Sequence, residues 1–164
     1  MSARHRLSQR LAPAEASEGA KKGRDTTPRS ERASEAKFDT QCVSIVVPGH
    51  PLGANQVGGR HWGTRNRDRL DWQNAAYWAW VEAGRPRFPR GAVVSITCVF
   101  GTPGRRDASN YAGAGSVKWI LDALTNAEVW PDDSQRWLDL AAVETVYRRG
   151  EWAVVLLISE RSTP

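Results

Sequence analysis

The sequence has no long hydrophobic run: apolar residues make up 40% of 164 positions but come in short stretches, far from the roughly 20 consecutive residues that a membrane-spanning helix needs. No apolar core follows the N-terminal basic residues and acids enter from Glu15 onward, so neither a secretory signal nor a transit peptide is expected, and a soluble, cytoplasmic protein is. Cysteine is almost missing. Cys42 and Cys98 each sit inside an apolar run with no CxxC or Cys/His spacing, which argues against zinc or a redox pair and for two buried thiols. Lysine is also scarce: after residue 38 there are 13 Arg but only one Lys, Lys118.

The net charge of +5 is unevenly spread. Residues 1 to 38 carry 9 Lys/Arg against 5 Asp/Glu, and the remainder carries 14 against 13. A nearly neutral body gives no broad attractive field, so any affinity for nucleic acid there must come from local charge arrangement. The first 38 residues are rich in Ser, Ala, Arg, Lys and Glu and poor in aromatic and β-branched residues. They are expected to be a disordered basic tail, with a single domain over 39–164.

Within that domain Cys42 to Pro48 alternates and reads as a strand, and the Gly- and Pro-rich residues 48 to 59 read as a loop. Residues 66 to 84 read as a helix with Leu70, Ala76 or Tyr77, and Val81 on its buried side and Gly84 as its stop. Residues 92 to 100 form a second strand with Val94, Ile96, Cys98 and Phe100 on one face. Residues 114 to 126 form a second helix with Val117, Ile120, Leu121 and Leu124 inward. Leu138 to Tyr147 and Trp152 to Ile158, joined through RRGE, read as a closing hairpin. The order β-α-β-α-β-β predicts an α/β (α+β) fold, one small domain with a mixed β-sheet packed against two helices. Trp72, Trp78 and Trp80 surround the first helix, which suggests that some rings face a partner, most simply a second subunit, with base stacking as the lesser alternative.

Residues 105 to 135 gather five carboxylates, two arginines and one lysine into 31 positions. If Asp107, Asp122, Asp132 and Asp133 met in space, their mutual repulsion would be relieved by a divalent cation, and all-oxygen donors suit Mg2+ or Mn2+. Lys118 and Asp122, four apart on one helix, point together; Lys118 is then placed to stabilise developing negative charge, and Arg105 and Arg106 to clamp phosphates. The plainer alternative is that Pro-Asp-Asp-Ser is an ordinary turn and Arg-Arg-Asp a surface ion pair. His50 and His61 lie in Gly-rich loops without a nearby motif carboxylate and are expected to pack there, and Trp119 and Trp130 to cover the second helix.

The order Arg105-Arg106-Asp107-Ala108-Ser109-Asn110, then Lys118, Asp122-Ala123-Leu124 and Asp132-Asp133-Ser134-Gln135 resembles the signature of the RusA family of Holliday-junction resolvases. Pro51-Leu52-Gly53-Ala54-Asn55 and Arg60 resemble that family's conserved loop and the arginine after it. The resemblance spans residues 42 to 158. It implies a homodimeric, magnesium-dependent endodeoxyribonuclease that resolves four-way junctions and other branched DNA. Asp107, Asp132 and Asp133 would be metal-binding and catalytic, Lys118 would stabilise charge, and Arg105, Arg106, Arg60 and Asn55 would contact DNA. Two departures stand out. Ser109 occupies the place of a second aspartate, and the spacing from Asn110 to Lys118 is longer than usual; Asn110 or Asp122 is then expected to complete the metal shell. A branched-DNA-binding protein that has lost cleavage, and a metal-dependent phosphoesterase acting on other substrates, are the alternatives.

Overall fold

The structure, a computed structural model, describes residues 42–161; the expected N-terminal tail lies outside the described residues. Eight elements follow in order: β1 (Cys42–Pro48), α1 (Ala54–Gly58), α2 (Trp62–Glu82), β2 (Ala92–Phe100), α3 (Ser109–Ala112), α4 (Gly115–Asn126), β3 (Leu138–Tyr147) and β4 (Ala153–Glu160). The four strands form one mixed sheet, β1-β4-β2-β3, in which β2 and β3 run parallel and β4 is antiparallel to both β1 and β2. The α+β architecture with a mixed sheet is as expected.

The closing hairpin is not. β3 and β4 are consecutive and antiparallel, yet β2 lies between them. The Arg148–Trp152 connection passes over the end of β2, where Arg148 N donates to Phe100 O at 3.0 Å and Gly150 N to Gly101 O at 3.1 Å. The reason is burial. The outward residue Val99 of β2 is itself buried, so β2 gains more from two strand neighbours than from an edge position.

Alternation explains β2: Ala92, Val94, Ile96, Cys98 and Phe100 are buried against the helices, opposite the buried residues Val154, Leu156 and Ile158 of β4. In α4 the expected stripe of Val117, Ile120, Leu121 and Leu124 is inward, joined by Trp119; Trp130 is also buried and donates from Nε1 to Thr125 Oγ1 at 2.8 Å.

In α2 the buried side is Trp72, Ala76, Ala79 and Trp80, whereas Leu70 is 47% exposed. The alanines leave room for close approach to α4, and Trp80 satisfies its indole N–H on Pro86 O at 3.0 Å. The helix also begins four residues earlier than expected, because the His61 ring accepts from Gly63 N at 3.3 Å and caps the first turn. It stops as expected near Gly84, whose φ of +87° continues no helix. Two short helices are additional: α1 falls within the stretch expected to be a loop, and α3 where no element was expected. Cys98 is buried as expected, but Cys42 is exposed, since its strand position faces away from the helices. His50 stacks on Trp152 with ring centroids 4.1 Å apart.

Candidate functional site

The segment after β1 is fastened to the start of α4. Ser116 N donates to Leu52 O at 3.1 Å, and Leu52 N donates to the buried Ser116 Oγ at 3.1 Å. Gly115 holds a φ of +62°, and a β carbon there would stand 2.0 Å from Leu52 O; only glycine lets the two backbones meet this closely. From this clasp α1 extends, its entry fixed by Gly53 N donating to Gln56 Oε1 at 3.0 Å. Asn55 then reaches α3, donating from Nδ2 to Asn110 Oδ1 at 3.4 Å. Tyr111 packs edge-on to Phe100 with centroids 5.4 Å apart, tying α3 to the end of β2.

Beside the clasp, a groove of about 450 Å³ is lined by Ala54, Arg65, Arg69, Gly115, Lys118 and Asp122 among others. Lys118 Nζ donates to Asp122 Oδ1 at 3.2 Å, the expected one-turn pair. Lys118 is more than half exposed, so the pair contributes little to stability and exchanges readily for another anion. Arg65 and Arg69 were not foreseen as site residues.

Asp107 precedes α3. Its Oδ1 accepts from Ser109 N at 3.0 Å, and that backbone hydrogen bond, followed by Ser109's side chain and the charge of Arg105, holds the carboxyl below its ordinary range. Ser109, standing where the signature has an acid, thus steadies the acid that remains. Asn110 N in turn donates to Asp107 O at 3.2 Å.

Asp132 and Asp133 form a separate turn. Asp132 Oδ1 accepts from Asp133 N at 2.7 Å, which lowers its pKa in the same way. The turn is anchored at the start of β3 through Leu138 N donating to Ser134 O at 2.9 Å, and Arg161 reaches the carbonyls of Gln135 and Arg136. Arg106 O, next to Asp107, accepts from Thr145 Oγ1 at 3.4 Å. Thr145 is seven positions along β3 from Leu138, with a bulge between, so the two anchor points are roughly 20 Å apart. Among the described residues no three His, Cys, Asp or Glu side chains form a group that could hold a metal ion. The expected convergence of Asp107 with Asp132 and Asp133 into a metal-holding group is therefore not found among the described residues: Asp107 sits in the turn that opens α3, and Asp132 and Asp133 in a turn anchored at the start of β3.

The expected phosphate clamps also divide. Arg106 turns inward, its guanidinium 4.0 Å over the Phe100 ring and donating to Thr102 O, Gly104 O and Thr102 Oγ1; it braces the loop. Arg105 is exposed. Arg60 is ion-paired with Asp68, beside a second cavity of about 460 Å³ lined also by His50, Gln56, Asp71 and Trp72.

The donors that fit a hard cation at the α3 end are the Asp107 carboxylate and the Asn110 amide oxygen. Mg2+ sites commonly use one or two protein carboxylates and leave the remaining positions to water and substrate phosphate. No described helix is long and apolar enough to cross a membrane. A scan against protein-family models and a search of curated proteins give no match to this chain.

Proposed function

We propose that this chain is a RusA-like, structure-selective endodeoxyribonuclease that hydrolyses phosphodiester bonds at four-way junctions and other branched DNA, serving recombination and repair in the cytoplasm. The observation that carries the reading is the clasp of Leu52 on Gly115 and Ser116. It brings Asn55 of α1 beside Asn110, 55 positions later, next to the groove that Ala54 shares with Lys118 and Asp122, and these stretches carry the signature-like residues other than Asp132 and Asp133.

Magnesium, with manganese as a substitute, would polarise the phosphoryl oxygen and lower the pKa of a water. Asp107 is ionised at neutral pH, as an aspartate ordinarily is, and the Ser109 N–H favours that state further; Asn110, three positions on, offers a neutral oxygen. Lys118 swings from Asp122 to the non-bridging or leaving oxygen as negative charge develops there. Arg105, with Arg65 and Arg69 in the groove, holds the flanking backbone. Symmetric incision of a four-way junction calls for a homodimer, because two sites must be related by a two-fold axis.

The test is nicking of a labelled four-way junction beside linear duplex, with magnesium or with chelator. Asp107→Asn is expected to abolish nicking while retaining the gel shift, and Asp133→Asn, at the far end of β3, to retain nicking within a few-fold. Equal loss in both variants would mean that the two acid groups act together. Ser109 in place of an acid favours a second reading, a branched-DNA-binding protein without cleavage; a junction-specific shift with no nicking across magnesium and manganese titrations selects it.

A further inference from the structure

Among the described residues Trp62 is the most exposed of the large apolar side chains, at 75%. It opens α2, and Arg65, Asn66 and Arg69 follow at three, four and seven positions, so the four share one helix face. Together with Trp119 they line a cavity of about 430 Å³. Arg65 and Arg69 also line the adjoining groove with Lys118 and Asp122. The joined surface therefore sets three cations against one carboxylate, next to a largely exposed indole that the His61 ring meets at a tilt, centroids 5.7 Å apart. Arg65 takes part in no ion pair among the described residues, and Arg69 Nη2 is held by Asn66 Oδ1 at 2.8 Å, which fixes its direction.

We propose that this face of α2 is a binding platform for single-stranded DNA, with an unpaired base stacked on Trp62 and the flanking phosphates on Arg65, Arg69 and Lys118. The combination of a largely exposed aromatic ring and a row of cations matches a strand whose bases are free to turn outward. Duplex DNA offers phosphates and groove edges but no base face, so it would leave Trp62 unused. An acidic peptide would satisfy the cations but has no ring to stack. The proposal rests on the preceding reading for the choice of DNA among polyanions, and it names the ligand as the unpaired nucleotides at a branch point; it does not require cleavage.

The experiment is fluorescence anisotropy of the full chain with a short labelled oligo-dT, oligo-rU or blunt duplex, over a range of salt. Trp62→Ala is expected to weaken oligo-dT binding roughly tenfold and Trp62→Phe to restore most of it, with duplex binding little changed. Arg65→Gln combined with Arg69→Gln is expected to flatten the logarithmic salt slope by about 1.4. The proposal is overturned if Trp62→Ala binds oligo-dT as tightly as the parent, or if polyglutamate competes as well as oligo-dT. Tighter binding of oligo-rU than oligo-dT overturns the assignment to DNA. Far-UV circular dichroism of each variant checks the fold, which an exposed Trp62 does not support. Junction nicking by the same proteins separates the two ideas. Nicking with no dependence of oligo-dT affinity on Trp62 removes the platform and leaves the nuclease; Trp62-dependent binding with no nicking by the parent does the reverse.

Discussion

Leu52 O occupies the space that a β carbon on Gly115 would need, 2.0 Å away. The loop after β1 and the first turn of α4 therefore fit each other only while residue 115 has no side chain. Gly115→Ala must both adopt a positive φ and push Leu52 off Ser116. The two effects together are expected to cost about 3 kcal/mol, read as a fall in melting temperature of roughly 10 °C. Binding of branched DNA should weaken in the same variant, since Asn55 and the Lys118 groove lose their common support.

Ser116 is the only buried polar or charged side chain among the described residues. Ser116→Ala leaves Leu52 N without its acceptor while keeping the volume of the site, and a loss of about 1 to 2 kcal/mol in urea unfolding is expected. A neutral result would mean that Leu52 N finds water instead.

The two thiols should behave differently. Burial pushes Cys98 up to about 12, so it stays a protonated, inaccessible thiol at neutral pH, whereas Cys42 is exposed. Iodoacetamide is expected to label one cysteine in the native protein and both in denaturant, with Cys42→Ser abolishing native labelling.

Acid should destabilise the fold through carboxylates whose folded-state pKa is depressed. Glu160 is held low by the Arg90 guanidinium, which donates at 2.9 and 2.5 Å, and Asp107 by Ser109. For such groups the contribution is present above the unfolded carboxylate pKa, near 4, and disappears as pH falls through the lower folded values. The urea midpoint should therefore drop below about pH 4, and Glu160→Gln should make that drop shallower. The Arg90 guanidinium is exposed although the Glu160 side chain is largely covered, so screening by added salt should reduce the effect of the Arg90 pair.

What could be read from the sequence was what neighbouring residues decide among themselves. The alternation of Val94, Ile96, Cys98 and Phe100 and the stripe of Val117, Ile120 and Leu124 describe local periodicity, and both appear in place. The Lys118–Asp122 pair follows from helical spacing alone. The misread hairpin is a long-range matter: a four-residue link between two strands suits a tight turn, and nothing local says that β2 takes the place between them. Asn55 and Asn110 are 55 positions apart, and their meeting depends on the Gly115 contact rather than on either asparagine. Trp62, Arg65 and Arg69 show no shared face in the sequence because histidine is an uncommon helix cap and the local pattern starts the helix only at residue 66. The separation of Asp107 from Asp132 and Asp133 had a similar cause, since the direction in which α4 leaves its glycine cannot be read from carboxylate spacing.

The strand order has a consequence for synthesis. β4, the last of the eight elements among the described residues, lies between β1 and β2 and pairs with both. A nascent chain that has emerged from the ribosome only as far as Tyr147 can align β2 with β3, but β1 has no strand to join and the two halves of the sheet remain unconnected. Closure must wait for Ala153–Glu160, so polypeptides interrupted before that stretch are natural prey for cellular proteases.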